Sequence, residues 1–239
     1  MTTKRLYNAL RYRGLLLLMR LGHTLHLPSS WFSGIRQRTF CRFYADNVWG
    51  SNESVSGPGS TLDATKNIRS AIPALFAELK IKSILDAPCG DFHWFQHLLP
   101  DLDINYLGAD IVPELIARNN VAYGSNRVAF KVHDIVTEPL PKVDLWFCRD
   151  CLFHLPLNDV RQALVNFIRS GIPYLLVTNH PLHNVNHEII HGEFRPLNLQ
   201  AAPFNLPAPR VQVPDDDLKN LGQVLALWEA KDVASVLKP

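Results

Sequence analysis

Glycine is missing where a dinucleotide site would need it. The chain has 12 glycines in 239 residues, and the turn Asp86-Ala87-Pro88-Cys89-Gly90-Asp91 contains only Gly90. A pyrophosphate cradle of the form G-x-G-x-x-G needs close backbone approach and N–H groups at a helix start. Pro88 and Phe92 stand where two of those glycines belong, and Pro88 has no N–H to donate. This disfavours a nicotinamide-linked oxidoreductase. The Gly/Ser-rich stretch at residues 49–60 lacks a following G-K-[ST], so it is not a nucleotide P-loop.

Cysteine and acid are short in other places. Four cysteines (Cys41, Cys89, Cys148, Cys151) are too few and too scattered for a disulfide framework, which makes the cytosol the expected compartment. Cys148-x-x-Cys151 has no second Cys/His pair at zinc-finger spacing, so neither a metal nor a redox pair is expected there. Positions 1–45 hold eight Lys/Arg and no Asp or Glu, leaving 16 basic against 22 acidic residues in the remainder. The basic charge is therefore an appendage on a mildly acidic domain, which argues against a nucleic-acid surface.

Long apolar runs are also lacking. The run at residues 15–19 stops at Arg20, too short to span a bilayer, and no small-residue cleavage site marks a signal peptide. Leu6, Leu10, Leu15, Leu18, Leu21 and Leu25 nevertheless recur at a roughly helical period among arginines. Such a helix either packs on the domain's own surface with its arginines in water, or lies on an anionic membrane or partner protein. Two parts are expected: a basic helical extension over residues 1–48 and a domain over residues 49–239.

Within that domain, strands and helices alternate. Strand-like runs fall at residues 81–86, 104–110, 128–134, 143–149 and 173–178; helices are expected at 61–80, 92–99, 113–119 and 157–170. The first helix has a capping-box spacing at Ser60 and Asp63, with Thr61 an alternative cap. This rhythm predicts an α/β, Rossmann-like, doubly wound and mostly parallel sheet. Residues 181–209 are proline-rich and aperiodic, and residues 211–213 and 223–228 predict a terminal antiparallel strand pair.

Successive strands end in acid: Asp86, Asp110, Asp134 and then Arg149-Asp150. Parallel neighbours would deliver these side chains to one crevice at the carboxyl ends, the usual ligand position in open α/β sheets. A single glycine turn plus carboxylates suits a phosphate-free adenosine ligand carrying an ammonium group. S-adenosylmethionine meets that description better than NAD.

The segment Ile84-Leu85-Asp86-Ala87-Pro88-Cys89-Gly90-Asp91, with Leu107-Gly108-Ala109-Asp110-Ile111, His133-Asp134-Ile135 and Arg149-Asp150-Cys151-Leu152-Phe153-His154-Leu155, resembles the class I S-adenosylmethionine-dependent methyltransferases. The resemblance covers residues 49–239. It implies that Gly90, with Ala87 and Pro88, lets the backbone approach the methionine part, which Asp86 helps to hold. It implies that Asp110, beside Ile111, takes the ribose hydroxyls, and that Asp134, beside Ile135, reads the adenine amino group. Arg149 and Asp150 would then face the transferred methyl. Two departures stand out: Pro88 and Phe92 replace glycines of the first motif, and a Pro/His-rich loop replaces the usual late helix.

Methyl transfer needs alignment and water exclusion, and a base only where the acceptor is protonated. His154, one turn past the fourth strand, is the candidate base, and Asp150 the group that orients it or the acceptor. Its alternative role is to tie a loop to the following helix. The loop at residues 49–60 is expected to be either a lid or a connector. The D/N-P-P-Y/F tetrapeptide of adenine and glutamine N-methylation is absent, which weighs against those acceptors. The expected acceptor is a small molecule or a glycan; the alternative is a catalytically silent adaptor of the same fold that docks on a membrane or protein through its basic N-terminal helix. Histidines at 180, 183, 187 and 191 would serve acceptor binding rather than metal, because Pro181 and the neighbouring asparagines favour a loop.

Overall fold

A computed structural model describes residues 33–215 and 221–237. Seven strands form one sheet in the order β3-β2-β1-β4-β5-β7-β6, with β1 Ser83–Asp86, β2 Asn105–Asp110, β3 Val128–Val132, β4 Leu145–Cys148, β5 Tyr174–Asn179, β6 Val211–Pro214 and β7 Val224–Glu229. The first five are parallel, while β7 runs antiparallel between β5 and β6. The expected doubly wound sheet with an antiparallel end is therefore the observed one. Strand order reverses beside β1, where β2 lies on one side and β4 on the other. This switch point opens a crevice at the carboxyl edge.

The central strands β1, β4, β5 and β7 read as near-continuous apolar runs because both faces are covered. Alternate side chains go to opposite layers. Leu85, Trp146, Cys148, Val177 and Trp228 pack under helix α4 (Leu157–Ser170), while Ile84, Leu145, Phe147, Leu176 and Leu227 pack against α2 (Lys66–Glu78). Helix α4 buries Val160, Ala163, Leu164 and Phe167 on one stripe and ends at Gly171, whose φ of 73° supplies the left-handed turn. Helix α3 (Pro113–Tyr123) runs longer than expected and adds Ile116 to the α2 layer. A short helix, α5 (Ala230–Val236), follows β7.

Two expected elements differ. In place of a helix at residues 92–99 there are two 3-10 turns, Phe95–His97 and Leu99–Asp101. Phe92, Trp94 and Phe95 all enter the core, and three such neighbours cannot share one helical face. Phe92 takes φ 59° to reach Tyr106, whose ring centroid is 4.8 Å away. Helix α2 begins at Lys66 with no side-chain cap at Thr65, so the Ser60–Asp63 box does not start it. Thr61 Oγ1 instead accepts the Ala64 N–H at 3.2 Å and closes a preceding turn.

Of the basic extension, helix α1 (Ser33–Ala45) is described, and the leucine-patterned helix and most of the expected docking surface lie outside the described residues. Arg36 on α1 is not in water: it is 2% exposed. Among the described residues no helix is long and apolar enough to cross a membrane.

Candidate functional site

A cavity of about 450 Å³ lies at the carboxyl ends of β1 to β4 and is lined by Asp86, Pro88, Gly90, Asp110, Ile111, Asp134, Ile135, Arg149, Asp150 and His154. The carboxylates spaced along the sequence therefore meet in one place. Ala87 is not in the wall. It lies fully buried behind it, donating its N–H to Phe147 O at 3.0 Å and accepting Trp146 Nε1–H at 3.1 Å.

Gly90 turns the chain at φ 54°, and a Cβ there would sit 2.2 Å from Ser56 Oγ. The position needs glycine for both conformation and space. Its carbonyl accepts Asn119 Nδ2–H at 2.8 Å, and its N–H donates to Asp110 Oδ2 at 3.3 Å. Asp110 Oδ1 accepts the Val112 N–H at 3.0 Å. Burial pushes the Asp110 carboxyl up to about 6, against the stabilising N–H groups of Val112, Gly90 and Ile111. Among the described residues no Lys or Arg pairs with it.

Asp86 is more deeply set. Burial pushes its carboxyl up to about 8, opposed by the Tyr106 hydroxyl, which donates to Oδ2 at 2.6 Å. The Asp110 charge raises it further and the Arg149 charge opposes the rise. Asp86 thus holds a proton near neutral pH.

Asp134 is occupied in another way. Its Oδ1 accepts Arg36 Nε–H at 3.1 Å and the Val136 N–H at 3.0 Å, while Oδ2 accepts Arg36 Nη2–H and, at 2.8 Å, the Thr137 hydroxyl. A carboxylate has about four acceptor positions, and protein donors fill them here. An open carboxylate facing an adenine amino group, the role implied by the resemblance, is not the state of Asp134 in this structure. Arg36 also binds Asp159 on α4, which in turn meets His191 Nε2 at 2.6 Å.

Arg149 is likewise buried and paired. It grips Asp215 through Nε and Nη2, both at 2.8 Å, and reaches Asp150 Oδ2 from Nη1 at 3.0 Å. Asp150 sits at φ 52°, its N–H donating to Thr178 Oγ1 at 2.9 Å and its Oδ1 accepting Gln223 Nε2–H at 2.9 Å. Such backbone strain persists only where neighbours over-determine the position. Arg149 is a scaffold for Asp150 rather than an open cation.

His154 Nδ1 lies 2.9 Å from Glu193 O. A carbonyl can only accept, so Nδ1 carries the proton and Nε2 is the basic nitrogen of the neutral ring. Trp49 and Phe194, each with its ring centroid 6.2 Å from that of His154, flank the imidazole.

Sequence reasoning missed the part played by α1: Arg36, Phe40, Phe43 and Tyr44 line the cavity. Trp49 and residues 55–60, from the loop expected as a lid or a connector, line it too. The 49–60 loop is strapped down at Asp91, whose carboxylate accepts Ser54 Oγ–H at 2.9 Å and the Val55 N–H at 3.0 Å. The Asp91 N–H donates to Ser56 Oγ at 2.9 Å. A Cβ on Gly59 would lie 2.9 Å from Asp150 Oδ2, so the loop spans from the Gly90 bend to Asp150. That makes it a wall of the cavity. Of the two roles expected for this loop, lid or connector, its contacts match the covering one. Of the loop histidines, none lines the cavity among the described residues, and no group of three metal-ligating side chains is assembled among them. His180 is buried, its Nδ1 receiving the Leu197 N–H at 3.2 Å.

No protein-family model matches this chain, and no curated protein matches it in sequence. Solved structures do. The N-methyltransferase NodS from Bradyrhizobium japonicum WM9, in complex with S-adenosyl-L-homocysteine, aligns over 78% of this chain and 97% of its own at TM-score 0.54 and 14% identity. The methyltransferase domain of bacterial CtHen1-CN aligns over 70% of this chain and 99% of its own at TM-score 0.52 and 13% identity. At such identities the likeness is one of fold: the chain has the Rossmann-like architecture of S-adenosylmethionine-dependent methyltransferases.

Proposed function

We propose that this chain is an S-adenosylmethionine-dependent methyltransferase acting on a small-molecule or glycan-type acceptor. One observation carries the reading: a single cavity joins the Gly90 bend, Asp86 and Asp110 to Asp150 and His154 beyond β4. The residues fit such a cofactor. Gly90 lines the cavity at a bend with no side chain to intrude, and Asp110 is a buried carboxylate held by backbone N–H groups alone among the described residues. Pro88 shapes the turn, and Ile111 and Ile135 give apolar wall on the adenosine side. When bound, the cofactor supplies an electrophilic sulfonium methyl. His154 Nε2 takes the acceptor proton, and Asp150, fixed by Arg149 and Gln223, orients the acceptor. Trp49 and the strapped loop exclude water.

Asp110→Ala is expected to weaken cofactor binding by about 1.5–3 kcal/mol, roughly 10–150-fold, through loss of charge-assisted hydrogen bonds. Calorimetry reads this directly, and unchanged affinity would place the ribose elsewhere. Asp86 gives a second expectation. It is protonated up to about pH 8 in the free protein, and only its ionised form pairs with an ammonium group. Binding near pH 7 should therefore release about one proton, and affinity should rise between pH 6 and 7.5. Titrations in buffers of different ionisation enthalpy count the proton; zero release would contradict the assignment.

The function itself is tested by incubating the chain with isotopically labelled methyl donor and a fractionated cell extract. Mass spectrometry should find a labelled small molecule or glycan that is missing with Asp110→Ala. Label in no fraction would defeat the proposal.

A further inference from the structure

The cavity's charges and its aromatic wall bear on what the acceptor is. Besides the protonated Asp86, four carboxylates line it (Asp91, Asp110, Asp134 and Asp150) against two guanidiniums. Both guanidiniums are already engaged: Arg36 by Asp134 and Asp159, Arg149 by Asp215 and Asp150. No lysine lines the cavity among the described residues. A carboxylate or phosphate on the acceptor would meet like charge in a low-dielectric site with no uncommitted cation to offset it. An amine has the opposite difficulty. Beside Asp150 its ammonium form is favoured, which ties up the lone pair that must react.

The wall past His154 is aromatic. Trp49 meets Phe43 edge-on at 5.5 Å, His154 lies 6.2 Å from Trp49, and Phe153 and Phe194 meet at 5.2 Å. Such faces take the flat apolar side of a ring. The polar lining next to it includes Asp150, whose Oδ2 meets Arg149 Nη1 at 3.0 Å and keeps acceptor capacity for a neutral hydroxyl.

Resting on the methyl-transfer reading above, we propose that the acceptor is an uncharged, hydroxyl-bearing ring seated on Trp49 and methylated on oxygen. The acceptor oxygen gains the methyl, and its O–H proton passes to His154 Nε2. The electron pair of the broken S–CH₃ bond stays on sulfur. A sugar ring and a phenol share this chemistry, and probes can separate them.

The test uses the full chain, labelled methyl donor and matched probes: methyl glucopyranoside, methyl glucuronide, glucose 6-phosphate, glucosamine and catechol. Saturation-transfer NMR on the same probes, with the demethylated cofactor present, gives a readout apart from turnover. One neutral probe should receive label and saturation at least about tenfold more than its charged counterparts, the glucoside or catechol signal deciding between sugar and phenol. Trp49→Ala should weaken that probe's binding about tenfold with cofactor affinity unchanged, and Trp49→Phe should restore most of it. Cofactor titration on the same samples separates the failures. If the cofactor does not bind, the methyl-transfer reading falls. If it binds, and the charged probes equal the neutral ones or no neutral ring binds at all, this inference alone is overturned.

Discussion

Arg36→Ala is expected to destabilise the fold by about 3–5 kcal/mol, the usual cost of removing one partner from a buried ion pair. Arg36 is 2% exposed and binds Asp134 at the end of β3 and Asp159 on α4 at once. Its loss strands two carboxylates away from water, one of them fully buried. For a chain of this size each kcal/mol lowers the melting temperature by about 2–4 °C, so thermal unfolding should show a drop of roughly 6–20 °C. Arg36→Lys should recover only part of it, because an ammonium cannot reproduce the two-pronged contact. Adding Asp159→Asn to Arg36→Ala should give back stability by removing one orphaned charge. A fall under about 1 kcal/mol in Arg36→Ala would mean that the cluster is open to water, contrary to the packing described.

His154→Ala is expected to lower turnover by about 10²–10⁴-fold, the range for losing a positioned general base. Cofactor affinity should hardly change, since the ring stands past β4 and is fixed by Glu193 O at 2.9 Å. Single-turnover kinetics with a labelled acceptor, at varied cofactor concentration, would read both. A change under threefold would give His154 the other role, tying the loop at residues 192–194 to the β4 end through its hydrogen bond to Glu193 and the Gly192 N–H to His154 O.

The centre of the sheet was legible because its strands are buried on both faces. Runs such as Leu145–Cys148 and Tyr174–Asn179 carry no solvent-facing residue that could blur their limits. The acidic ends of β1 and β2 were readable for a related reason, since a carboxylate closing an apolar run marks where the strand leaves the core. The stretch after β1 was not readable: a helix is expected at residues 92–99, but Phe92, Trp94 and Phe95 all sink into one cluster and the chain forms two 3-10 turns instead. Arg36 shows a deeper limit. A buried arginine and a solvated one are identical in sequence, and its partners lie 98 and 123 positions away. Arg149 likewise finds Asp215 across 66 positions, with Gln223 bonded to the same carboxylate. Such pairings depend on the finished fold, so local spacing carries no trace of them.

In the proposed enzyme the bend at Gly90 and the carboxylate of Asp110 seat the adenosine and methionine groups. Isothermal titration of the full chain with S-adenosylmethionine, S-adenosylhomocysteine and NAD tests it most directly. Saturable one-to-one binding of the first two at micromolar concentrations, with no heat from NAD, is the predicted result. Silence from both adenosyl ligands at high micromolar concentration, in a sample whose circular dichroism shows the folded sheet, would contradict the account.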